Sequence, residues 1–202
     1  MSIPLGFLAI LTDGPAYGSQ LHSEFVYRAA HRDHLNAGQV YSTLERLRKH
    51  QLIRSAGTTV DDLPLYELTP AGKDRAQRWL SGDDVAGFTS WDEVEDQVLI
   101  SASLPHGHPT TVIARYLASV ESELPVSVMA TNRAQSAAAS ARTFQLRALM
   151  TWLTLVAEQL EADPSAFLLP RAAERPRRGR RPSPSPSQKN SNVTREEVHL
   201  QS

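Results

Sequence analysis

The chain has 202 residues, a formal net charge of −1 and no cysteine, which excludes disulfides and thiolate metal sites. The charge is unevenly distributed, because residues 1–80 carry +1, residues 81–169 carry −7 and residues 170–202 carry +5. An acidic middle segment is a poor nucleic-acid surface, and no apolar run approaches the roughly 20 residues that span a bilayer.

Two short helices are predicted at the start of the chain. Residues 3–11 are densely apolar and indicate a short buried helix, which Gly14 and Pro15 end. The apolar run has no basic start, so a secretory signal is not expected. A second helix is predicted from about Ala16, with Leu21 and Phe25 on its apolar face.

The most informative pattern is a helix predicted over residues 36–51. Asn36 is a good N-cap, and the apolar residues Val40, Leu44 and Leu47 recur on one face at helical spacing. The opposite face carries side chains that can hydrogen-bond base edges, since glutamine pairs with adenine and arginine with guanine. This pattern alone fits an ordinary solvated surface helix equally well. The residues of that face are Gly38, Gln39, Ser42, Glu45, Arg46 and Lys49.

A hairpin is predicted directly after this helix. Residues 52–54 start a strand, residues 57–62 supply turn chemistry and residues 65–68 return as a strand. Thr69 then caps a further helix with Pro70 at its first position. This order of elements is that of a winged helix-turn-helix. We therefore predict a mainly α fold with a small β-hairpin wing, with the winged domain at residues 1–82.

The same segments carry a family resemblance. The motifs are LGFLAIL at 5–11, GPAYG at 14–18, GQVYSTLERL at 38–47, LI at 52–53 and Y-x-L-T-x-x-G at 66–72. On these motifs the chain resembles the PadR family of bacterial winged helix-turn-helix transcription regulators. The resemblance implies a homodimeric repressor that binds a pseudo-palindromic double-stranded DNA operator and is released by a small aromatic or hydrophobic molecule.

The wing departs from the family pattern. It carries Asp61 and Asp62, with only Arg54 at its base, which argues against strong contact between the wing and phosphate. Phosphate contact then depends on a basic stripe elsewhere in the first domain. The candidate cations are Arg28, Arg32, Arg46, Arg48, Lys49 and Arg54.

The expected DNA contacts follow from this fold. Gln39, Ser42 and Arg46 would reach bases in the major groove, with Tyr41 and Thr43 at their flanks. The start of the preceding helix and the wing would touch phosphate. The full set of expected DNA-binding residues is Tyr17, Ser19, Gln39, Tyr41, Ser42, Thr43, Arg46, Lys49, Thr58 and Thr59.

Residues 83–168 are predicted to form a helical dimerisation domain. Ser90 and Glu93 have the spacing of a capping box, and Pro125 should break a long helix near Leu124. The strongest helical signal is an apolar stripe near the end of this domain. It can pack within the chain, but a twofold dimer is the preferred interpretation because it matches a pseudo-palindromic operator. The stripe residues are Leu146, Leu149, Met150, Leu153, Val156 and Leu160.

Aromatic side chains of this domain are candidates for an apolar ligand pocket near the dimer contact, since aromatic-lined cavities bind such molecules. The alternative is that they only fill the core. They are Trp91, Tyr116, Phe144 and Trp152.

The C-terminal residues 169–202 are predicted to be a disordered basic tail rich in Pro, Ser and Arg. A cluster of four arginines at 177–181 precedes a Ser-Pro repeat. The tail is either a solubilising extension or a DNA-tracking arm.

Catalysis is not indicated by the sequence. His31 with His34, and His106 with His108, are closely spaced, but neither pair brings the three or four ligands of a zinc site. No nucleophile elbow or Gly-rich phosphate loop occurs, and neither metal nor cofactor is expected. We therefore predict a cytoplasmic, nucleoid-associated transcriptional repressor. The alternative is an adaptor whose winged helix binds protein without specific DNA binding.

Overall fold

The computed structural model describes residues 2–32, 35–88, 90–124 and 132–171. These ranges contain seven α-helices and a three-stranded antiparallel sheet, so the predicted mainly α fold with a small β wing is confirmed. The elements are α1 (Ser2–Ile10), a 3₁₀ turn (Leu11–Asp13), β1 (Ala16–Tyr17), α2 (Gly18–Ala29), α3 (Ala37–Lys49), β2 (Ile53–Thr58), β3 (Pro64–Leu68), α4 (Pro70–Ser81), α5 (Trp91–Ser103), α6 (Pro109–Glu123) and α7 (Arg133–Ala162).

Side-chain caps start the helices where the sequence predicted them. The Asn36 side chain accepts a hydrogen bond from the Gln39 backbone N–H at 2.8 Å, and the Gln39 side chain accepts one from the Asn36 N–H at 3.3 Å. Thr69 caps α4, with Pro70 at the first position, and Ser90 caps α5. Local capping chemistry therefore sets these boundaries, independently of the tertiary fold.

The second helix begins later than predicted. Ala16 and Tyr17 form β1, which pairs with Tyr66 and Leu65 of β3, and α2 starts only at Gly18. A strand of two residues shows no periodicity, so the apolar pattern alone could not reveal it. This strand ties the start of α2 to the wing.

The wing is a hairpin with a bulge. Arg54 of β2 lies opposite Glu67 of β3, and the register shifts between Ser55 and Thr58. Gly57, which was expected in the turn, lies in this bulge with φ at +98°, a backbone conformation that favours glycine. The turn itself comprises residues 59–63.

The first hydrophobic core lies between α1, α2, α3 and α4. Phe7 and Phe25 meet edge to face, with ring centroids 5.5 Å apart. Helix α5 closes this core, because its Ile100 and the adjoining C-cap residue Leu104 are buried in the same cluster. The opposite face of α5 is buried in a second hydrophobic core, so this one helix packs into both cores.

Polar contacts fix α5 between the two cores. The Gln97 side chain donates to the Trp79 carbonyl at 2.6 Å and accepts from the Tyr116 hydroxyl at 2.5 Å. Burial raises the pKa of Tyr116 to about 12, so this hydroxyl stays protonated and donates. The buried Ser101 hydroxyl donates to the Leu80 carbonyl at 3.1 Å.

The second core contains most of the residues that were predicted to form the dimer contact. The α7 stripe packs within the chain against α5 and α6, and its leucines and valine are at most 4 % exposed. Their apolar area is therefore covered within a single chain. Met150, at the edge of the stripe, is half-buried. The covered residues are Leu146, Leu149, Leu153, Val156 and Leu160.

Helix α6 ends at Glu123, and Leu124 is its C-cap. The helix therefore ends where the sequence predicted a break. Pro125 itself, His34, and the tail from residue 172 onwards lie outside the described residues. Within the described ranges, no helix is long and apolar enough to cross a membrane.

Candidate nucleic-acid interface

Helix α3 presents a polar face to solvent. Val40, Leu44 and Leu47 are buried against the first core, as predicted. Thr43 is also buried, at 4 % exposure, because it lies between the apolar residues on the inward side. Thr43 therefore exposes little of its surface beside the polar face of α3. The exposed residues of α3 include Gly38, Gln39, Tyr41, Ser42, Glu45, Arg46 and Lys49.

Two of the expected base-reading side chains are partly committed to the helix itself. The Gln39 side-chain oxygen belongs to the capping box, and the Ser42 hydroxyl donates to the Gln39 carbonyl at 3.1 Å. The Gln39 amide NH₂ and the lone pairs of the Ser42 oxygen remain for a partner. Among the described residues Arg46 makes no ion pair, so its bidentate guanidinium is the most available group on this face.

Most cations of the first domain are neutralised within the chain. Six of its nine lysines and arginines form ion pairs. Arg28 pairs with Glu24 at 2.9 Å with both side chains fully buried, and the exposed Arg48 pairs with Glu45 at 2.9 Å. The expected basic stripe is therefore much weaker in charge than the sequence suggested. Within the described residues, the cations without an ion pair in this domain are Arg46, Lys49 and Lys73.

The start of α2 lies beside α3. The Tyr41 ring covers Gly18 so closely that a Cβ on that glycine would be 2.9 Å from the ring. Ser19 is exposed in the first turn of α2, where backbone N–H groups lack helical partners and can bind an anion. Tyr17 is 8 % exposed. The structure thus brings Ser19 and Tyr41 to one surface and places Tyr17 largely beneath it.

The wing offers less than expected. Thr58 is exposed, but Thr59 is half-buried and its hydroxyl accepts from the Leu63 N–H at 3.1 Å. Arg54 is paired with Glu67 at 2.7 Å across the strands. Val60, at the tip, is fully exposed and was missed by the sequence reasoning, although an isolated apolar residue next to two aspartates in a hairpin turn could have signalled it.

A groove of about 500 Å³ separates α3 from the second domain. Gln39, Ser42 and Arg46 line one side, and Asp92 and Glu93 at the start of α5 line the other. DNA seated on α3 would therefore approach carboxylates of the second domain, which oppose phosphate.

Beside this groove, the two domains are joined by a charged cluster. Arg32 bonds to the buried Asp96 at 2.8 Å and to Asp92 at 3.1 Å. Burial lowers the pKa of Arg32, but the hydrogen bond and the attraction to Asp96 outweigh it, so the pKa is raised overall. His31, Asp92 and Glu95 bring one potential metal-ligand atom each within 4.8 Å of one another. Arg32 already neutralises part of this charge, so the cluster is accounted for as an interdomain ion-pair network.

The four aromatic residues expected in a ligand pocket do not converge. Trp91 and Trp152 stack in a tilted pair with centroids 6.0 Å apart. Tyr116 instead borders a separate cavity of about 150 Å³ together with Trp79. Phe144 is 69 % exposed on α7, so it lines neither.

Comparisons with known proteins give a family model and a solved structure to which this chain is similar. Residues 7–78 match the model of the "Transcriptional regulator PadR-like family". Among solved structures, PadR of Bacillus subtilis in complex with operator DNA matches with a TM-score of 0.38 and 18 % identity, over 79 % of this chain and 99 % of that chain. No curated protein matches the chain significantly.

Proposed function

We propose that this chain, whose residues 7–78 form a PadR-like transcriptional regulator domain, is a homodimeric, sequence-specific repressor of a pseudo-palindromic operator. The observation that carries the proposal is the exposed polar face of α3, on which Arg46 forms no ion pair with any residue that the structure describes. A helix of this kind in a winged fold enters the major groove.

In this mode Arg46 reads guanine through two hydrogen bonds, and the Gln39 amide and Ser42 read neighbouring positions. Ser19 at the start of α2 and the neighbouring Tyr41 of α3 contact phosphate. Lys49 contacts phosphate at the end of α3. Thr58 and the exposed Val60 bring the wing tip against the duplex.

A second copy would meet the outer face of α7. Phe144 and Leu155 are 69 % and 51 % exposed, and residues 11 apart lie on one helical face. Two readers related by a twofold axis match an operator with two half-sites. With the leucine stripe buried, this outer face is the apolar surface of α7 that remains for the contact.

The ligand that releases the repressor would be a small aromatic or hydrophobic molecule bound beside Trp91 and Trp152. The two indoles pack against the second core at the start of α5, and α5 also lines the groove beside α3. A tenfold change in operator affinity requires about 1.4 kcal/mol of coupling along this helix.

The proposal is tested by binding of the purified protein to duplex from its own upstream region, against unlabelled competitor. Arg46→Ala should weaken specific binding by about 1–3 kcal/mol and relax preference at one base position. Arg48→Ala is the matched control, since Arg48 lies on the same helix but is engaged by Glu45. Equal losses in both variants would remove Arg46 from the base-reading set.

A second candidate is a protein-interaction adaptor. The internal pairing of the cations and the net charge of −7 over residues 81–169 favour it, because both weaken attraction to DNA. Weak binding that is equal on every duplex and lost at physiological salt would support the adaptor and overturn the repressor.

A further inference from the structure

The groove between α3 and the second domain has walls of opposite charge. Arg46 lies on the α3 side and forms no ion pair with the residues that the structure describes. Asp92 and Glu93 at the start of α5 lie on the other side. The groove volume of about 500 Å³ falls within the range of small-molecule sites, roughly 300–1,000 Å³. A ligand that fits this groove would present hydrogen-bond acceptors to the first wall and donors to the second.

The α3 wall offers the contacts that recognise one edge of guanine. An arginine guanidinium donates two hydrogen bonds to the guanine acceptors O6 and N7. Beside Arg46, the Gln39 amide NH₂ can still donate and the Ser42 oxygen can still accept, because the bonds that they make within the helix use their other groups. Both can bind sugar hydroxyls, which donate as well as accept.

The α5 wall is complementary to the adjacent edge of the same base. Guanine N1–H and its 2-amino group are donors, and an ionised carboxylate only accepts hydrogen bonds. Asp92 is 59 % exposed and bonds to Arg32 at 3.1 Å. Because a carboxylate has about four lone-pair sites, Asp92 can accept from a ligand while this bond persists. Arg32 is itself held by the buried Asp96 at 2.8 Å, so the position of Asp92 is fixed before a ligand arrives.

Apolar side chains form a third wall of the groove. Ile3 and Pro4 in the first turn of α1 line it and are half-buried, so the flat face of a ring can pack against them. The carboxylates on the α5 wall would repel a phosphate group. The three walls together therefore favour a neutral purine nucleoside over a nucleotide.

From the chemistry of these walls, we propose that the groove binds guanosine, with O6 and N7 of the base on Arg46 and with N1–H and the 2-amino group on Asp92. A bound nucleoside covers the arginine that reads guanine in the proposed function, so it competes directly with DNA. The competition rests on the proposed function, whereas the site itself does not. This site is additional to the one proposed beside Trp91 and Trp152.

Isothermal titration calorimetry of the full chain without DNA tests the site, with guanosine and two analogues as ligands. Inosine lacks the 2-amino group, and 7-deazaguanosine lacks the N7 acceptor. Each should bind about 5- to 100-fold more weakly than guanosine, the range that corresponds to discrimination by one bidentate pair. Equal affinity for the three nucleosides, or no measurable binding of guanosine, would overturn the proposal. Tighter binding of guanosine monophosphate than of guanosine would also overturn it, because the acidic wall opposes phosphate.

Two substitutions separate the walls. Asp92→Asn should remove the preference for guanosine over inosine and keep the preference over 7-deazaguanosine, and Arg46→Ala should do the reverse. Arg48→Ala is the matched control for Arg46, because Arg48 lies on the same helix and pairs with Glu45. It should leave all three affinities unchanged, and thermal melting checks that each variant folds. Unaltered preferences in both groove variants would contradict the assigned contacts.

Operator binding is then measured at increasing guanosine concentration. Operator affinity should fall as the site fills, and an unchanged affinity at saturation would overturn direct competition. A chain that binds operator but not guanosine would overturn the site and leave the repressor intact. A chain that binds guanosine but no duplex would support the site and overturn the proposed function.

Discussion

Arg28 and Arg48 show how the same type of side chain takes two different roles in this protein. Each pairs with a glutamate on its own helix at 2.9 Å. Arg28 and Glu24 are fully buried, and Arg28 also donates to Ser103 and Leu169. Arg48 and Glu45 are 59 % and 64 % exposed. The hydrogen bond from Arg48 lowers the pKa of Glu45, yet solvent screens such a pair and leaves it little effect on stability.

Removing the two arginines should therefore have unequal effects on folding. Arg28→Met removes the cation that pairs with the buried Glu24 and the hydrogen bond to the Leu169 carbonyl, so we expect it to lower the free energy of unfolding by about 3–5 kcal/mol. Arg48→Met should lower it by less than about 1 kcal/mol. Urea denaturation of both variants measures the difference. Similar small values would show that the buried pair is hydrated in solution.

Helix α7 is the element with two separate faces. Its inner face carries Leu149, which is fully buried in the second core, and its outer face carries the exposed Phe144 and Leu155. Burial of the inner face stabilises the fold of the single chain. The outer face remains exposed, and its burial would stabilise contact with a second copy.

Substitutions on the two faces should separate folding from association. Leu149→Ala should lower the free energy of unfolding by about 2–5 kcal/mol through the cavity that it leaves. The double variant Phe144→Ser with Leu155→Ser should fold normally but dissociate to monomers. Analytical ultracentrifugation across a concentration series, together with thermal melting, gives both readouts. A double variant that stays dimeric would place the contact elsewhere.

At the scale of the whole molecule, the second domain has a net negative charge and would repel a DNA ligand. The carboxylates at the start of α5 line the groove beside Arg46. Because exposed charges interact within a Debye length of about 10 Å at 0.1 M salt, this repulsion should reduce affinity most strongly where the carboxylates lie nearest to the duplex. If the chain binds DNA as proposed, the second domain would make binding depend on favourable base contacts and so raise specificity at the expense of affinity.

Glu93→Gln should accordingly raise DNA affinity on both operator and random duplex, most strongly at low salt. Glu161→Gln is the control, because it changes the charge equally at a site further from the start of α5. Trp152 of α7 packs against Trp91 at the start of α5. Glu161 lies nine residues beyond Trp152, about 13 Å further along the axis of α7. Fluorescence anisotropy with a labelled duplex measures both variants. An equal rise in the two would attribute the effect to net charge and not to the groove.

Local patterns in the sequence were sufficient for much of this fold. The caps at Asn36, Thr69 and Ser90 are short-range hydrogen bonds, so they could be recognised without knowing what packs where. The inward face of α3 followed from the spacing of Val40 and Leu44, since helical periodicity is a property of the chain alone. The family motifs between residues 5 and 72 were also readable in this way.

The tertiary structure decided which side chains are left for a partner. The stripe of α7 had the same pattern whether it faced α6 or a second copy, because periodicity shows that a face is apolar but not what covers it. Arg28 and Arg32 counted as candidates for DNA until the fold brought Ser103, Asp96 and Asp92 against them. Long-range pairing across domains determines the free charge of a surface, and composition alone contains no record of those pairs.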